Sequence, residues 1–258
     1  MKRWKLCDRE DELSSELVQH VVAGIGTPHL ASNCLKAMQA ILPTTFCTVF
    51  VVAANGRIET VSAASSYGTL AERTAALYVE KRYDRYDPHM LWLAKRKLPS
   101  RTQLWLGHHR GEDLPDAPYR AACYDEVGIR ERASVLQLTP AGERAAISFY
   151  RSFSQPEFSP HDFSQIERYA PLLAQAIAAH GRSGITLRKS PSSSFGSRML
   201  TLSLRQREVI GELLQGRSGK EAARVLGIEP TTLRTLQYRA FRRLGIRTIK
   251  ELLQGRVS

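Results

Sequence analysis

Basic and hydroxyl side chains follow one side of a predicted helix near the C-terminus. Over about residues 230–244, the residues Thr231, Arg234, Thr235, Tyr238 and Arg242 recur at steps of three, one, three and four, opposite an apolar face. Arginine and hydroxyl side chains on such a face bind base edges in the major groove of DNA and the neighbouring phosphates. The spacing alone fits either a DNA-binding surface or an ordinary solvated face, and the charge and motifs described next favour the first.

The charge of the chain is concentrated around this helix. Residues 181–258 contain 16 Lys and Arg against 5 Asp and Glu, whereas residues 1–180 contain 21 against 20. Neutralising phosphates releases counterions and supplies much of the affinity for nucleic acid, so the imbalance favours the same interpretation. Residues 181–200 are rich in Ser, contain Gly and Pro and have no acidic residue. This composition predicts a linker between an N-terminal domain (1–180) and a C-terminal domain (201–258).

Two shorter helical patterns precede the basic helix. They cover about 204–215 and 219–226 and end at Gly216 and Gly227, because glycine accepts the positive φ with which many helices end. A helix, a tight glycine turn and a second helix with a basic outer face are typical of a helix-turn-helix. We therefore predict an all-α C-terminal domain with a helix-turn-helix.

Four short motifs of this module match those of a known family. LRQREV at 204–209, SGKEAARVLGI at 218–228, TLR at 232–234 and RLGI at 243–246 resemble the C-terminal domain of the LuxR family of bacterial transcription regulators. The resemblance implies a short fourth helix at about 248–254, used for dimerisation. It also implies DNA contact by Lys220, Thr231, Thr232, Arg234, Thr235, Tyr238, Arg239, Arg242 and Arg243. Within this set, base edges or nearby phosphates are assigned to Arg234, Thr231, Thr235 and Tyr238, and the DNA backbone to Lys220, Arg239, Arg242 and Arg243.

Upstream of the linker, the pattern mixes helices and strands. Helical periodicity covers about 10–23, 28–41, 69–82, 88–97 and 117–126, and strand-like runs cover about 45–53, 57–63, 132–139 and 144–152, with a loop-rich stretch before residue 117. Helices on both sides of an antiparallel sheet are typical of an α+β sensor domain. Asn55-Gly56 predicts a type I′ hairpin turn. Pro171 predicts a kink, or a break into two helices, in the closing helix at 160–180.

One segment of this domain is similar to a ligand-binding domain. The run LYVEKRYDRYDP at 77–88 resembles the acyl-homoserine-lactone-binding domain of the quorum-sensing LuxR proteins. In those proteins a Tyr at this distance before an Asp-Pro binds the amide carbonyl of the ligand, and the Asp accepts the amide N–H. The resemblance implies ligand contacts by Tyr78, Asp87, Trp105 and Ser134. The Trp105 match needs an insertion of about three residues, and Trp92 is the alternative. From the residues alone, Tyr78 and Asp87 could equally form a structural hydrogen bond at the Asp-Pro turn.

The chain departs from this family at positions that would touch a ligand. Thr74 stands where those proteins have a lactone-binding Trp, and Arg132 stands where they have a Gly near the mouth of the pocket. Loss of a buried hydrogen-bond donor costs about 1–3 kcal/mol. Three alternatives therefore stay open for the sensor: an acyl-homoserine lactone, another small molecule, or no ligand.

The sequence contains no strong motif of an enzyme, a metal site or a membrane protein. There is no GxSxG, P-loop or HExxH, so we expect no enzymatic activity and no cofactor. His108 and His109, with Glu112 and Asp113, form a weak metal-site candidate. The four cysteines form no CxxC pair and are expected to be neutral thiols. No apolar run approaches the ~20 residues that span a bilayer, and no signal peptide is recognisable, so we expect a cytoplasmic protein that does not bind membranes.

Together these patterns predict a sequence-specific transcription regulator that binds double-stranded DNA as a homodimer. Two recognition helices related by a two-fold axis would bind an inverted-repeat operator of about 18–20 base pairs. The alternative is a regulator that acts mainly by heterodimerising with another LuxR-type protein.

Overall fold

A computed structural model describes residues 1–6, 12–182 and 201–253. The predicted linker lies outside these residues except for Gly181 and Arg182, which end a helix, so the domain limits stay predictions. We call residues 1–6 and 12–182 the N-terminal part and residues 201–253 the C-terminal part. Among the described helices, none combines the length and the apolar character needed to cross a membrane.

The N-terminal part is built on one antiparallel sheet. Its strands are β1 (Lys2–Lys5), β2 (Phe46–Val52), β3 (Ile58–Ser65), β4 (Gln103–Arg110), β5 (Ile129–Leu138) and β6 (Arg144–Ser152). They lie in the order β1-β4-β5-β6-β2-β3, with every neighbouring pair antiparallel. The prediction of a loop-rich stretch before residue 117 was wrong, because β4 lies there. Its sequence QLWLGHHR lacks the alternation of apolar and polar residues that indicates a strand, because a glycine and two histidines stand in its second half.

Helices cover both faces of this sheet. One face packs against α1 (Ser15–Gly24), α2 (Leu30–Gln39) and α6 (Pro160–Arg182). The other packs against α3 (Leu70–Glu80), α4 (Pro88–Ala94) and α5 (Ala117–Arg120), which continues into a π-helical turn at Ala121–Asp125. Because side chains alternate along a strand, β5 turns Ala133 and Val135 toward the first face and Leu136 and Leu138 toward the second. The predicted α+β architecture is confirmed.

Helix α6 continues through Pro171 without a break, so of the two predicted alternatives the division into two helices was wrong, and the kink stays a prediction. Proline inside a helix removes one backbone hydrogen bond and costs about 3 kcal/mol. On α6 the ring of Pro171 faces outward, while Ile166, Ala170, Leu173 and Ile177 on the opposite side are buried against the sheet. Burial of apolar side chains from both halves of the helix offsets the lost hydrogen bond.

The hairpin between β2 and β3 forms where it was predicted, but with a different turn. Gly56 has a φ of 80°, whereas Asn55 is not among the residues with positive φ, as a type I′ turn would require. The backbone N–H of Gly56 donates to the carbonyl of Ala53, and the N–H of Ala53 donates to the carbonyl of Arg57. The connection is thus one residue longer than the predicted two-residue turn, with glycine at the left-handed position.

The C-terminal part consists of four helices: α7 (Leu204–Leu214), α8 (Gly219–Val225), α9 (Pro230–Leu244) and α10 (Ile249–Leu253). Helices α7 and α8 begin with capping boxes, in which Ser203 and Ser218 accept from backbone N–H groups one turn further on. Gly216 and Gly227 follow the ends of α7 and α8 with φ of 80° and 62°, as predicted. The all-α C-terminal module is confirmed.

Candidate DNA-binding face and ligand cavity

The outer face of α9 carries most of the residues predicted to contact DNA. Their side chains are exposed, and Tyr238 exposes 64% of its surface although it is aromatic. The exposed set is Thr231, Thr232, Arg234, Thr235, Tyr238, Arg239 and Arg242. The buried side, which fixes the helix to its neighbours, consists of Leu233, Ala240, Phe241 and Leu244. The arrangement leaves a hydroxyl and guanidinium surface directed away from the core.

The remaining two predicted DNA contacts lie outside the middle of this face. Lys220 is exposed on α8. Arg243 lies near the end of α9 and donates to the carbonyl of Thr201 at 3.2 Å and to Oε1 of Gln206 at 3.1 Å. Arg243 therefore also ties α9 to the start of α7, so its guanidinium is partly engaged within the protein.

A small cavity of about 30 Å³ lies in the N-terminal part between the sheet and helices α3 and α5. This volume holds about one water molecule, so a larger molecule could enter only if the wall moved. The wall is mainly aromatic, and its aromatic residues are Phe46, Phe50, Tyr78, Tyr119, Tyr124 and Tyr150. Among the four residues predicted to contact a ligand, Tyr78 lines the cavity, whereas Asp87, Trp105 and Ser134 do not.

Asp87 holds a buried ion pair with Arg132. The Asp-Pro sequence places Asp87 at the N-cap of α4, where Oδ1 accepts from the backbone N–H groups of His89 at 2.8 Å and Met90 at 3.4 Å. The guanidinium of Arg132 donates to both carboxylate oxygens, each at 2.7 Å. Burial would raise the pKa of Asp87, but the charge and the hydrogen bonds of Arg132 hold it well below its usual range. The pair is therefore charged at neutral pH.

Arg132 lies deep in the protein, so the expectation that it stands near the mouth of the pocket was wrong. Its residue exposure is 3%, and its guanidinium lies 5.9 Å from the ring centroid of Tyr150. Its Nε has no hydrogen-bond partner in the part of the chain that the structure describes. A buried arginine needs a counter-charge, and Asp87 supplies it across 45 residues of sequence.

Two tyrosines complete the surroundings of Asp87. The hydroxyl groups of Tyr78 and Tyr119 each donate to Oδ2 of Asp87 at 3.2 Å. The structural alternative for Tyr78 and Asp87, a hydrogen bond at the Asp-Pro turn, is therefore present. Tyr119 was not recognised in the sequence, because nothing local to it indicates that its hydroxyl reaches α4.

Ser134 belongs to a second buried network, next to the ion pair. Its hydroxyl contacts Nδ1 of His89 at 3.1 Å and the hydroxyl of Ser148 at 2.8 Å. Nε2 of His89 lies 3.4 Å from Nδ1 of His109, whose Nε2 lies 2.8 Å from the hydroxyl of Tyr124. Burial and the charge of Arg132 lower the pKa of both histidines well below the ordinary value, so both are neutral. The hydroxyl of Ser134 thus has its hydrogen-bond partners within the protein and needs none from a ligand.

Trp105 packs away from the cavity. Its ring meets that of Trp92 edge-to-face at 5.1 Å, and the guanidinium of Arg96 lies over both rings. The predicted ligand contact of Trp105 is not supported by this placement. Thr74, in contrast, lines the cavity where the family has a lactone-binding Trp, and its hydroxyl donates to the carbonyl of Leu70 at 2.9 Å.

The weak metal-site candidate is not assembled. His108 and His109 point to opposite sides of β4: His108 contacts Glu131 at 2.7 Å, and His109 contacts Tyr124. Within residues 1–6, 12–182 and 201–253, no group of three or more His, Cys, Asp and Glu side chains is arranged to hold a metal ion. Burial raises the pKa of Cys34 and of Cys123 to about 12, so these thiols are neutral; Cys7 lies outside the described residues.

Comparison with protein families supports the interpretation of the C-terminal part. Residues 200–254 match the family described as bacterial regulatory proteins, luxR family. This C-terminal segment is a LuxR-family domain. It contains α7 to α10, and hence every residue predicted to contact DNA. Comparison with curated proteins gave no match.

Two solved structures resemble the whole chain or a large part of it. SdiA of Escherichia coli is 16% identical, with a TM-score of 0.44 over 91% of this chain and 92% of that chain. CepR2 of Burkholderia cenocepacia, described as an N-acylhomoserine-lactone-dependent LuxR-family transcription factor, is 13% identical, with a TM-score of 0.45 over 64% of this chain and 92% of that chain. At these values nothing about the ligand or assembly of this chain follows from either protein.

The LuxR-family domain contacts the N-terminal part through α7. Two glycines make the contact possible, one on each side: a Cβ at Gly211 would overlap the ring of Tyr67, and a Cβ at Gly128 would overlap the side chain of Leu204. Arg207 also donates to the backbone carbonyl of Glu126. Nothing local in the sequence indicates this contact, because a glycine within a helix gives no sign of what packs against it.

This contact lies one layer of side chains from the cavity. The ring of Tyr67 packs edge-to-face on Phe46 at 5.3 Å, and Phe46 is part of the cavity wall. On the other side, Gly128 lies between Val127 and Ile129, which both line the cavity. The cavity wall and α7 are thus connected by direct packing through Tyr67.

Proposed function

We propose that this protein is a sequence-specific DNA-binding transcription regulator of the LuxR type, acting as a homodimer in the cytoplasm. The observation that carries the proposal is the family match over 200–254 together with the exposed hydroxyl and guanidinium surface of α9. The net charge of the region supports it, since phosphate neutralisation favours a basic module. The regulator either responds to a small molecule, for which the aromatic cavity of the N-terminal part is the candidate site, or acts without a ligand. None of the comparisons supports the heterodimer alternative.

Footprinting tests this function. Because two recognition helices in a homodimer are related by a two-fold axis, we expect the purified full chain to protect an inverted repeat of about 18–20 base pairs, with half-sites one helical turn apart. Selection from random DNA sequences supplies the operator, and light scattering of the complex gives its stoichiometry. Protection of an asymmetric site by a single chain would contradict the proposal.

Two substitutions on the LuxR-family domain separate base contact from phosphate contact. Arg234→Ala is expected to weaken operator binding by about 1–3 kcal/mol and to relax the preference at one position of each half-site, because we propose that its guanidinium contacts a base edge. Lys220→Ala is expected to weaken binding to all sequences alike and to reduce the slope of affinity against salt. Titrations with operator and with scrambled DNA at several salt concentrations measure both. If Arg234→Ala lowered binding to both DNAs equally, Arg234 would contact phosphate only.

A further inference from the structure

We propose that Arg243 does not contact DNA but fixes the orientation of α9, the helix that carries the proposed DNA-binding face. This inference rests on the proposed function, because it concerns a residue that the resemblance places among the DNA contacts. Three observations support it: the position of Arg243 around the helix, the hydrogen bonds of its guanidinium, and the apolar nature of the other contacts that hold α9.

Arg243 lies beside the outer face of α9 and not on it. An α-helix turns by about 100° per residue, so Arg242 lies only about 20° around the helix from Thr231. By the same rotation Arg243 lies about 120° from Thr231, on the side of α9 that meets the start of α7. The two adjacent arginines therefore point in different directions, Arg242 along the outer face and Arg243 toward the protein.

Two oxygens at the start of α7 hold the guanidinium of Arg243. Its Nη1 donates to the carbonyl of Thr201 at 3.2 Å and to Oε1 of Gln206 at 3.1 Å, which uses both hydrogens of this nitrogen. Hydrogen bonds from an ionised donor are stronger than those between neutral groups. In contrast, the guanidinium of Arg242 has no hydrogen bond or ion pair with the residues that the structure describes.

Gln206 is itself fixed in place, so it can anchor another helix. Only 4% of its surface is exposed. Its Oε1 also accepts from the backbone N–H of Ser203 at 3.0 Å, and the hydroxyl of Ser203 accepts from the backbone N–H of Gln206 at 3.3 Å. The two lone pairs of this oxygen thus serve the capping box of α7 and Arg243 together. Directional bonds therefore tie the last turn of α9 to the first turn of α7.

The other contacts of α9 hold it against its neighbours without a preferred direction. They are made by apolar side chains, and apolar burial is not directional. The buried set is Leu233, Ala240, Phe241 and Leu244. A rotation of α9 would move all side chains of the outer face together, and recognition of a base edge needs aligned hydrogen bonds. Attraction to phosphates depends less on alignment, so loss of Arg243 should weaken specific binding more than non-specific binding.

Titrations of the full chain with operator and with scrambled DNA at several salt concentrations test the inference. In Arg243→Gln we expect the affinity for the operator to fall about tenfold and that for scrambled DNA about twofold or less. The slope of log affinity against log salt should stay unchanged, whereas loss of a phosphate contact lowers it by about 0.9 per chain. Arg242→Gln removes the adjacent arginine and is the matched control; it should lower both affinities and the slope.

Substitutions at Gln206 test the same hydrogen bond from its other side. Gln206→Met removes the acceptor without changing the charge, so it should lower the preference for the operator in the same way as Arg243→Gln. Because both changes break one hydrogen bond, the double variant should lose no more than about twofold beyond the larger single loss. Gln206→Glu keeps an acceptor for Ser203 and Arg243 and should retain the preference of the wild type. Circular dichroism shows whether each variant is folded.

The inference is wrong if Arg243→Gln lowers binding to both DNAs equally and reduces the salt slope as Arg242→Gln does. It is also wrong if the losses of Arg243→Gln and Gln206→Met multiply in the double variant. Thermal midpoints add a test without DNA, in which Arg243→Gln should have a smaller effect in the Gln206→Met background; an undiminished effect would overturn the inference. A wild-type chain that binds operator and scrambled DNA alike would instead refute the proposed function.

Discussion

Replacing Asp87 by Asn is expected to lower the free energy of unfolding by about 3–5 kcal/mol, because the guanidinium of Arg132 then stays buried without a counter-charge. An asparagine keeps the size of the side chain, and its amide oxygen can still accept the N-cap hydrogen bonds of α4. The loss therefore reports on the ion pair. Urea denaturation followed by circular dichroism measures it.

Two further variants control this result. Asp84→Asn breaks the ion pair with Arg82, a side chain that is 39% exposed, and is expected to cost about 0–1 kcal/mol. Arg132→Met, combined with Asp87→Asn, removes both charges and should cost clearly less than the sum of the two single changes. If the losses were additive, the coupling of Asp87 to Arg132 would be refuted.

Lowering the pH should remove the stability that the ion pair of Asp87 and Arg132 contributes. In the folded protein burial would raise the pKa of Asp87, but Arg132 holds it well below the ordinary value, whereas in the unfolded chain it returns to about 3.9. The ion pair thus adds its full stability above about pH 5, and this contribution is lost as the pH falls through 4 toward the folded pKa. The difference between the wild type and Asp87→Asn should shrink over that range.

The sequence predicts the C-terminal part more closely than the N-terminal part. The boundaries of α7, α8 and α9 are set by signals within a few residues, namely the capping serines, Pro230 at the first turn and glycines with positive φ after the helices. Such signals can be recognised in one sequence, and each helix then follows from a local pattern. Strand β4 gave no such signal, because its partners, β1 and β5, are distant in the chain.

The cavity shows a second limit of sequence reasoning. The resemblance placed Tyr78 and Asp87 correctly next to each other, since their spacing is local to α3 and the Asp-Pro turn. It could not predict that Arg132 enters from β5 and takes both oxygens of Asp87, because this pairing depends on the register of the sheet. Trp105 was chosen by position along the chain, and the fold turns it toward Trp92. Residue types can be aligned to a family, but the direction of a hydrogen bond needs the folded chain.

Tyr67→Ala is expected to reverse the effect of Gly211→Ala on stability. In the wild-type chain a Cβ at Gly211 would overlap the ring of Tyr67, so the alanine must push α7 and the ring apart, at a cost of about 1–3 kcal/mol. When residue 67 is alanine, the space is open. Alanine is then favoured over glycine within a helix by about 1 kcal/mol. The same substitution should therefore lower the thermal midpoint in one background and raise it in the other.

Two probes and one control make this result specific to the contact. All three tryptophans, at positions 4, 92 and 105, lie in the N-terminal part, so fluorescence follows that part while circular dichroism follows every helix. We expect the two transitions to coincide in the wild type and to separate in Gly211→Ala.

The control is Gly181, near the end of α6, where a Cβ would meet nothing within 4 Å. The effect of Gly181→Ala on the thermal midpoint should therefore not depend on residue 67. An equal effect of Gly211→Ala in both backgrounds would show that Tyr67 does not hold α7. A reversal would measure the coupling free energy between Gly211 of α7 and Tyr67, which packs on the cavity wall. This coupling free energy is an upper limit on the free energy that a change at the cavity can transmit to α7 through Tyr67.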